Sequence, residues 1–320
     1  MIPIRDTTQT RNYPIVNSAV IALNVLIYLV QLAQGPELER FIYIYGLVPA
    51  RYSVPDIASY FTAGGQLFSF VSFMFLHGGF WHLLGNMWSL HIFGDNVEDE
   101  MGPLRYLFFY FACGIASGMT HLLFNFYSNV PAIGASGAIA GVMGAYFILH
   151  PRSKILTLIP IFFIPYFIEI PAFFFLGLWF VIQFVSAAGT RGDASGIAWW
   201  AHIGGFVLGI VFLKLLSRIP SGQGAGGFTE KKHTHRFQMV RPETVEADQN
   251  IYGTLRISWY EALTGTRKVV GVPNGFQNRM LKVAVPPGIK EGSLLRLQGM
   301  GRKMPDGGRG DLLLRVVIND

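Results

Sequence analysis

The sequence predicts an α-helical polytopic membrane protein, a bundle of six spans, followed by a small soluble all-β sandwich domain. Half of the 320 residues are hydrophobic and the mean hydropathy is +0.40, which is high for a soluble protein. Residues 1–220 contain 10 Lys+Arg and 10 Asp+Glu, whereas residues 221–320 contain 15 and 9. The whole net charge of +6 therefore lies in the last hundred residues, as expected for a membrane domain followed by a basic soluble one. We predict a membrane domain at 1–219, a flexible basic linker at 220–249 and a β domain at 250–320.

Six apolar segments approach the ~20 residues that a helix needs to cross a bilayer. They lie at about 15–33, 81–97, 104–124, 132–149, 170–187 and 199–216. Pro160 and Pro165 interrupt a further apolar stretch, 155–167, which we interpret as an extended or interfacial segment leading into the fifth span. Residues 36–80 form a long first loop with amphipathic pieces that we expect at the membrane surface.

The basic residues of the short flanking segments predict the orientation. With the N-terminus in the cytoplasm, seven Lys or Arg flank the spans inside and three lie outside, which favours both termini in the cytoplasm. Residues 1–15 lack an apolar core, so we expect no cleavable signal peptide. We therefore predict a multi-pass membrane protein of the bacterial inner (plasma) membrane. The single cysteine, Cys113, excludes a disulfide framework and a cysteine metal site.

The fourth span begins with a hydroxyl inside a stripe of small residues. Gly134, Gly137, Gly141 and Gly144 are spaced by three, four and three residues, so they line one helical face that another backbone can approach closely. Ser136 lies within this stripe. It is either a packing residue that bonds to a neighbouring helix or a group with a chemical role.

Two other spans carry histidines. A histidine in the hydrocarbon region of a membrane costs free energy, so its presence indicates a specific structural or functional role. His82 and Asn86, four residues apart, project from one face of the second span. His202 opens the sixth span, and Gly205 and Gly209 let that helix pack against a glycine face. Because the second, fourth and sixth spans run in the same direction, His82, Ser136 and His202 lie at a similar depth, toward the outer face.

These residue types permit acyl-transfer chemistry. A serine hydroxyl becomes a strong nucleophile when an adjacent base removes its proton, and an imidazole can do so near neutral pH. The outer halves of these spans contain no acidic residue, so we predict a dyad of Ser136 and His202. The side chains of His82 and Asn86, with the N–H groups of Ser136 and Ala135, are the candidate donors to an oxyanion. We predict no cofactor and no metal.

Other interpretations of the histidines remain open. An intramembrane histidine can form a bond between helices or ligate a metal or haem, and His82, His91, His121 and His202 are available for that. His91 and His121 have no Ser or Asn at helical spacing, so we interpret them as structural. We interpret His77 as an orienting or a surface residue.

The three motifs together resemble the rhomboid family of intramembrane serine proteases. They are Gly134-Ala135-Ser136-Gly137, His82-Leu83-Leu84-Gly85-Asn86, and Ala201-His202 with Gly205 and Gly209, and the resemblance covers about residues 15–216. It implies hydrolysis of peptide bonds in or near transmembrane segments of single-span or polytopic membrane proteins within the lipid bilayer. Ser136 would be the nucleophile, His202 the base, and His82 and Asn86 the oxyanion donors. The loop 188–198 would correspond to the family's mobile cap and the fifth span to its lateral gate.

The sequence departs from the family pattern at two places. Some members carry an aromatic residue one turn after the nucleophile, which packs on the imidazole, where this chain has Ala140. Another side chain must then hold the ring of His202. The Trp-Arg pair of some members is also missing from residues 36–80.

The last seventy residues alternate apolar and polar residues and contain many β-branched ones, which predicts strands at about 252–259, 267–272, 280–285 and 311–318 in an antiparallel sandwich. The motifs Tyr260-Glu261-Ala262-Leu263-Thr264-Gly265, Val285-Pro286-Pro287-Gly288 and Gly308-Arg309-Gly310-Asp311-Leu312 resemble the C-terminal substrate-binding domain of DnaJ-type chaperones. The resemblance implies binding of extended apolar peptides. A stabilising cap that binds nothing is the alternative. We expect no nucleic-acid partner.

Three functions compete with a protease. A rhomboid-like scaffold would bind transmembrane helices without cutting them, although inactive relatives typically lack the serine or the histidine, which this chain has. A membrane-tethered peptide-binding adaptor would leave the matched depth of Ser136, His82 and His202 unexplained. A transporter would need a charge network through the spans, which the sequence does not offer.

Overall fold

The structure is a computed structural model that describes residues 1–8, 10–161, 164–189, 197–218, 234, 237–240, 250–274, 277–302 and 308–319. Contacts divide the chain into two compact units, Met1–Thr229 and Glu230–Asp320. The first unit is mainly helical and the second is mainly β-stranded. Most of the predicted cap loop and of the predicted linker lies outside the described residues.

Ten helices of the first unit are described, and six of them lie where the sequence predicts spans. These six are α1 (Ile15–Leu32), α6 (Phe80–Met101), α7 (Pro103–Phe124), α8 (Ser136–Leu149), α9 (Ala172–Gly189) and α10 (Trp199–Leu216). The first loop forms the short helices α2 (Leu38–Tyr45), α3 (Ala50–Ser53), α4 (Pro55–Ala58) and α5 (Ala63–Ser72).

Length and composition qualify four of the described helices, α1, α7, α9 and α10, to cross a membrane. A fifth span results if α6 is counted with the preceding Ala63–Phe75 segment, from which it is bent by 81°. Helix α8 is shorter than the predicted fourth span, because residues 132–135 precede its first turn and only 14 residues are helical. The first unit is therefore a helical membrane unit with four to five candidate spans.

Helix α8 lies in the interior of this unit. Ten consecutive residues, from Gly137 to Tyr146, are buried. A Cβ added at Gly141 would collide with Cys113 of α7, and one added at Gly144 would collide with the backbone of Phe206 in α10. The small residues of α8 therefore let neighbouring backbones and side chains approach on both sides, as their spacing predicts.

The start of α1 is bound to the end of α6. Glu98 accepts hydrogen bonds from the N–H groups of Val16 (3.0 Å) and Asn17 (2.7 Å), in the first turn of α1. Those N–H groups have no partner one turn earlier in the helix, so the carboxylate satisfies them and complements the positive end of the helix dipole. Tyr106 of α7 donates to Asn17 Oδ1 at 2.8 Å. These contacts fix three helices at one end of the unit.

The segment between α8 and α9 is extended, as one of the two interpretations expects, and it forms a β-hairpin. Strand β1 (Ile2–Asp6) pairs with β2 (Lys154–Ile161), which pairs with β3 (Ile164–Pro171), all antiparallel. Pro160 and Pro165 stand opposite each other near the hairpin tip. Proline excludes a helix there but is compatible with strand positions whose N–H is not needed. The sequence could not show that residues 2–6 supply the third strand.

The second unit consists of two three-stranded sheets around one core. Their strands are β4 (Phe237–Met239), β6 (Thr266–Asn274) and β7 (Gln277–Val285) in one sheet, and β5 (Ile251–Ser258), β9 (Leu312–Asn319) and β8 (Leu294–Leu297) in the other. The buried cluster contains Val270 and Val283 from the first sheet and Leu255 and Leu314 from the second. This confirms a small sandwich.

Two details of the predicted sandwich are wrong. Strand β4 pairs in parallel with β6, and β5 pairs in parallel with β9, so the sheets are mixed rather than antiparallel. Strand β4 and the buried Val240 lie within residues 220–249, which the sequence analysis assigns to the linker. The β unit recruits this strand because its residues complete the sheet edge and the core.

A buried ion pair joins the short helix α11 (Trp259–Thr264) to β6. Lys268 Nζ donates to Glu261 Oε1, and both side chains are nearly inaccessible to solvent. Burial raises the pKa of Glu261, but hydrogen bonds from Lys268, the Ser258 N–H and Thr234 outweigh it and hold that pKa below its usual value. Glu261 also completes a capping box with Ser258 at the start of α11.

Candidate active site

Ser136 and His202 are joined by a hydrogen bond. The His202 Nε2 and Ser136 Oγ atoms are 2.8 Å apart, although the residues are 66 positions apart in the chain. Ser136 is the first residue of α8 and His202 lies in the first turn of α10. Both residues are partly buried.

Close packing of two helices brings this pair together. A Cβ added at Gly205 would collide with the Gly137 backbone, and one added at Gly209 with the Gly141 backbone. The contacted residue number increases along both helices, from Gly137 to Gly141 and from Gly205 to Gly209, so α8 and α10 lie side by side and run in the same direction. Their first turns therefore meet, as the predicted common depth of Ser136 and His202 requires.

His82 lies beside the Ser136–His202 pair. Its Nδ1 accepts the N–H of Gly78 at 3.2 Å, so the proton of the neutral ring is on Nε2. Gly134 has φ +129°, and a Cβ there would lie 3.0 Å from His82 Nε2 and 3.5 Å from Ser136 Oγ. Glycine is required at this position for its backbone conformation and for the approach of the His82 ring. The Nε2–H of His82 is thereby available as a donor beside Ser136.

Asn86, one turn after His82 on α6, is buried. Its Nδ2 amide makes no hydrogen bond to any described residue. A buried amide without a partner costs free energy, so a site that keeps one is suited to a ligand that supplies the acceptor. Ala135 and Ser136 lie at the start of α8, where backbone N–H groups have no partner one turn earlier. All predicted donor positions therefore lie at the starts of α6 and α8.

The loop before α6 is clamped by α1. Gln31 donates its Nε2–H to the carbonyl oxygen of His77 at 2.5 Å and accepts the His77 N–H at 3.0 Å. His77 is fully buried, which excludes the surface interpretation, and its ring centroid lies 5.2 Å from that of His82. The sequence analysis did not identify Gln31, although a glutamine inside an apolar run is itself unusual.

Three side chains surround the His202 ring besides Ser136. The ring centroids of Trp179 and Trp199 lie 6.0 Å and 6.1 Å from that of His202. Gln183 Oε1 lies 2.8 Å from His202 Nδ1. The ring is thus held although position 140 is alanine, as the sequence analysis requires. The sequence did not predict Gln183 because it is uncharged, whereas the orienting group of a catalytic triad is an acidic residue.

Two family models match this chain. A family model described as the Rhomboid domain matches residues 64–219, and one described as the DnaJ C terminal domain matches residues 234–320. The chain carries a rhomboid domain joined to a DnaJ C-terminal domain. The rhomboid match includes α6, α8 and α10, and the DnaJ match includes both sheets of the β unit.

Similar curated proteins are also rhomboids. The chain is 27% identical to "Rhomboid protein 1, mitochondrial" of Saccharomyces cerevisiae over 214 residues, 64% of this chain and 54% of that protein. It is 34% identical over 85 residues to "Putative rhomboid protease YdcA" of Bacillus subtilis, 27% of this chain and 42% of that protein. It is 33% identical over 84 residues to "Inactive RHOMBOID-like protein 8" of Arabidopsis thaliana, 26% of this chain and 23% of that protein. The chain spans about half or less of the length of these relatives.

Proposed function

We propose that the chain is an intramembrane serine endopeptidase that hydrolyses peptide bonds in or near transmembrane segments of membrane proteins. The observation that carries this proposal is the 2.8 Å hydrogen bond between Ser136 Oγ and His202 Nε2 at the start of two apolar helices. The rhomboid domain supports it, because that family consists generally of intramembrane serine proteases.

The first half of the reaction forms an acyl-enzyme. Ser136 Oγ attacks the carbonyl carbon of the scissile bond while its proton moves to His202 Nε2. The tetrahedral intermediate then collapses, the C–N bond breaks, and His202 returns the proton to the leaving amine. In the second half, water attacks the ester, His202 again takes and returns one proton, and the acid product leaves with Ser136 restored.

The oxyanion of each tetrahedral intermediate needs donors beside Ser136. We assign this role to His82 Nε2–H, to the Asn86 amide and to the N–H groups of Ala135 and Ser136. The Asn86 Nδ2 amide has no partner among the described residues, so it loses no bond to them when the charge develops. Removing one such donor costs roughly 3–4 kcal/mol of barrier.

Cleavage in liposomes tests the proposal. A single-span substrate is incubated with the wild type, Ser136→Ala and His202→Ala, beside Gly177→Ala, whose added Cβ meets no atom within 4 Å. We expect cutting to vanish in the first two variants, since loss of nucleophile or base costs a serine protease about a millionfold in kcat. Gly177→Ala should cut like the wild type. Absence of cleavage by the folded wild type with several substrates, together with no labelling by a fluorophosphonate, would refute it.

A rhomboid-like scaffold that binds transmembrane helices without cutting is the second candidate. It is favoured by the similarity to a plant relative named inactive. A scaffold needs no hydrogen bond between Ser136 and His202, whereas the structure contains one. Binding of a transmembrane helix that is unchanged in Ser136→Ala, without cleavage in either protein, would favour the scaffold.

For the β unit, we propose that it binds extended apolar peptide segments and recruits substrates or partners. The DnaJ C-terminal domain supports this proposal, because an extended peptide can add to the edge of a sheet as a further strand. Protection of β4 or β8 amides from hydrogen exchange by a bound apolar peptide is the expected result. If amide hydrogen exchange in these strands is unchanged at a saturating peptide concentration, the β unit is a stabilising cap that binds no peptide.

We propose that the chain lies in the inner membrane of a bacterial cell. Both termini then lie in the cytoplasm, and Ser136 lies toward the outer face. This orientation rests on the excess of basic residues in the inner flanks. Cysteines introduced at Arg152 and at Tyr127 would test it in intact cells. We expect an impermeant thiol reagent to label position 127 and to leave position 152 unlabelled. The opposite pattern would invert the topology.

A further inference from the structure

Gln183 is a buried polar residue on a helix that is otherwise apolar. It is 6% exposed and is one of four buried residues of α9, the others being Ala172, Leu176 and Ala187. A primary amide in an apolar environment costs free energy unless it is hydrogen-bonded. Its Oε1 has one partner in the described structure, the His202 ring nitrogen Nδ1, at 2.8 Å.

This contact determines which ring nitrogen carries the proton. An amide oxygen only accepts hydrogen bonds, so Nδ1 of His202 must be the N–H donor. A neutral imidazole has one N–H, and Nε2 therefore presents its lone pair to the Ser136 hydroxyl. With the proton on Nε2 instead, the ring could not take the proton of Ser136. The Nδ1–H remains a donor to Gln183 when the ring becomes protonated.

The helix that carries Gln183 also holds the plane of the ring. Trp179 lies one turn earlier on the same face of α9, and its ring contacts the His202 imidazole. Of the four helices long and apolar enough to cross a membrane, α9 has the smallest buried share. The imidazole of α10 is thus oriented by the most exposed of these helices.

We propose that Gln183 is a positioning residue that fixes the tautomer and the orientation of His202 for attack by Ser136. It occupies the place that a carboxylate takes in a Ser–His–Asp triad, without adding a charge to the membrane interior. This inference rests on the proposed protease function. It also makes catalysis depend on the position of α9, because outward movement of that helix removes both Gln183 and Trp179 from the ring.

Kinetics of three variants in liposomes test the proposal. Gln183→Leu keeps the approximate volume and removes the acceptor, Gln183→Glu keeps an acceptor oxygen, and Ile182→Ala changes a neighbour that is 50% exposed. We expect Gln183→Leu to lower kcat about 10- to 100-fold with KM unchanged, and to slow fluorophosphonate labelling of Ser136 by the same factor. Gln183→Glu should recover most of this loss, and Ile182→Ala should match the wild type.

Nitrogen-15 NMR of histidine-labelled protein supplies a readout that a merely structural role would not change. The His202 signals are assigned by their loss in His202→Ala. We expect the neutral ring of the wild type to carry its proton on Nδ1, and Gln183→Leu to show a substantial Nε2–H population at unchanged thermal stability. An unchanged tautomer in Gln183→Leu, or a kcat equal to that of the wild type, would overturn the proposal. If the wild type neither cleaves nor reacts, the proposed function fails, and the tautomer comparison still decides whether Gln183 sets the imidazole.

Discussion

Substitution of Gly209 by alanine should disable the Ser136–His202 pair from a distance. Gly209 lies seven residues after His202, two turns along the same face of α10, and touches neither side chain of the pair. An added Cβ would lie 2.5 Å from the Cα and 2.8 Å from the carbonyl carbon of Gly141 in α8. Both atoms belong to a helix backbone, so no side-chain rotation can relieve the collision.

The required displacement can be worked out from these distances. Ordinary van der Waals contact begins at 3.4 Å, so α10 must move away from α8 by about 0.9 Å at Gly209. If the helix moves as a rigid body, the 2.8 Å bond between Ser136 and His202 lengthens to about 3.7 Å, beyond hydrogen-bond distance. A misplacement of about 1 Å costs a catalytic pair on the order of 100-fold in rate.

The assay is the rate of substrate cleavage in liposomes for Gly209→Ala beside Gly177→Ala. Position 177 is a glycine of α9 whose added Cβ meets no atom within 4 Å. We expect Gly209→Ala to lose about 100-fold in kcat and to unfold with a free energy lower by about 1–3 kcal/mol, from overpacking. Gly177→Ala should keep wild-type activity. A fully active Gly209→Ala protein of unchanged stability would show that α8 and α10 do not meet as closely as the glycines require.

Four further perturbations have definite expected outcomes. Asn86→Ala should lower kcat about 10²- to 10³-fold with KM unchanged, as loss of one oxyanion donor does, and an unaltered kcat would remove Asn86 from the site. Lys268→Met removes the ammonium group that faces the buried Glu261 carboxylate. It should lower the free energy of unfolding of residues 230–320 in urea by about 3–5 kcal/mol, with recovery when Glu261→Gln is added. Because the folded pKa of Glu261 is held below the usual 4.5, its stabilising effect is present above that pH and should be lost as the pH falls through the lowered value. Equal acid sensitivity of the wild type and Glu261→Gln would contradict this assignment. Deletion of residues 221–320 should leave cleavage of a permissive substrate intact, and complete loss in a folded truncated protein would show that the two units are coupled.

The sequence alone predicted approximately where the six long apolar helices lie. Apolar runs and the three- and four-residue spacing of small residues are local patterns, and they place Ser136 and His202 at the starts of helices that can pack closely. The glycine stripe also predicts close approach by a neighbouring helix, and α10 offers glycines at a matching spacing, at 205 and 209. The strands of the β unit follow from local alternation in the same way.

Only the tertiary structure decided which groups meet across long separations in the chain. That Gln183 accepts from His202 Nδ1, and that Gln31 binds the backbone of His77, depends on the rotation of helices α9, α10 and α1 about their axes. The pairing of β1 with β2, and the parallel pairing in both sheets of the β unit, depends on which edges are free when the cores assemble. Sequence patterns record the preferences of a segment for a helix or a strand and for burial, but not its partners, because a hydrogen bond between distant residues leaves no periodic trace.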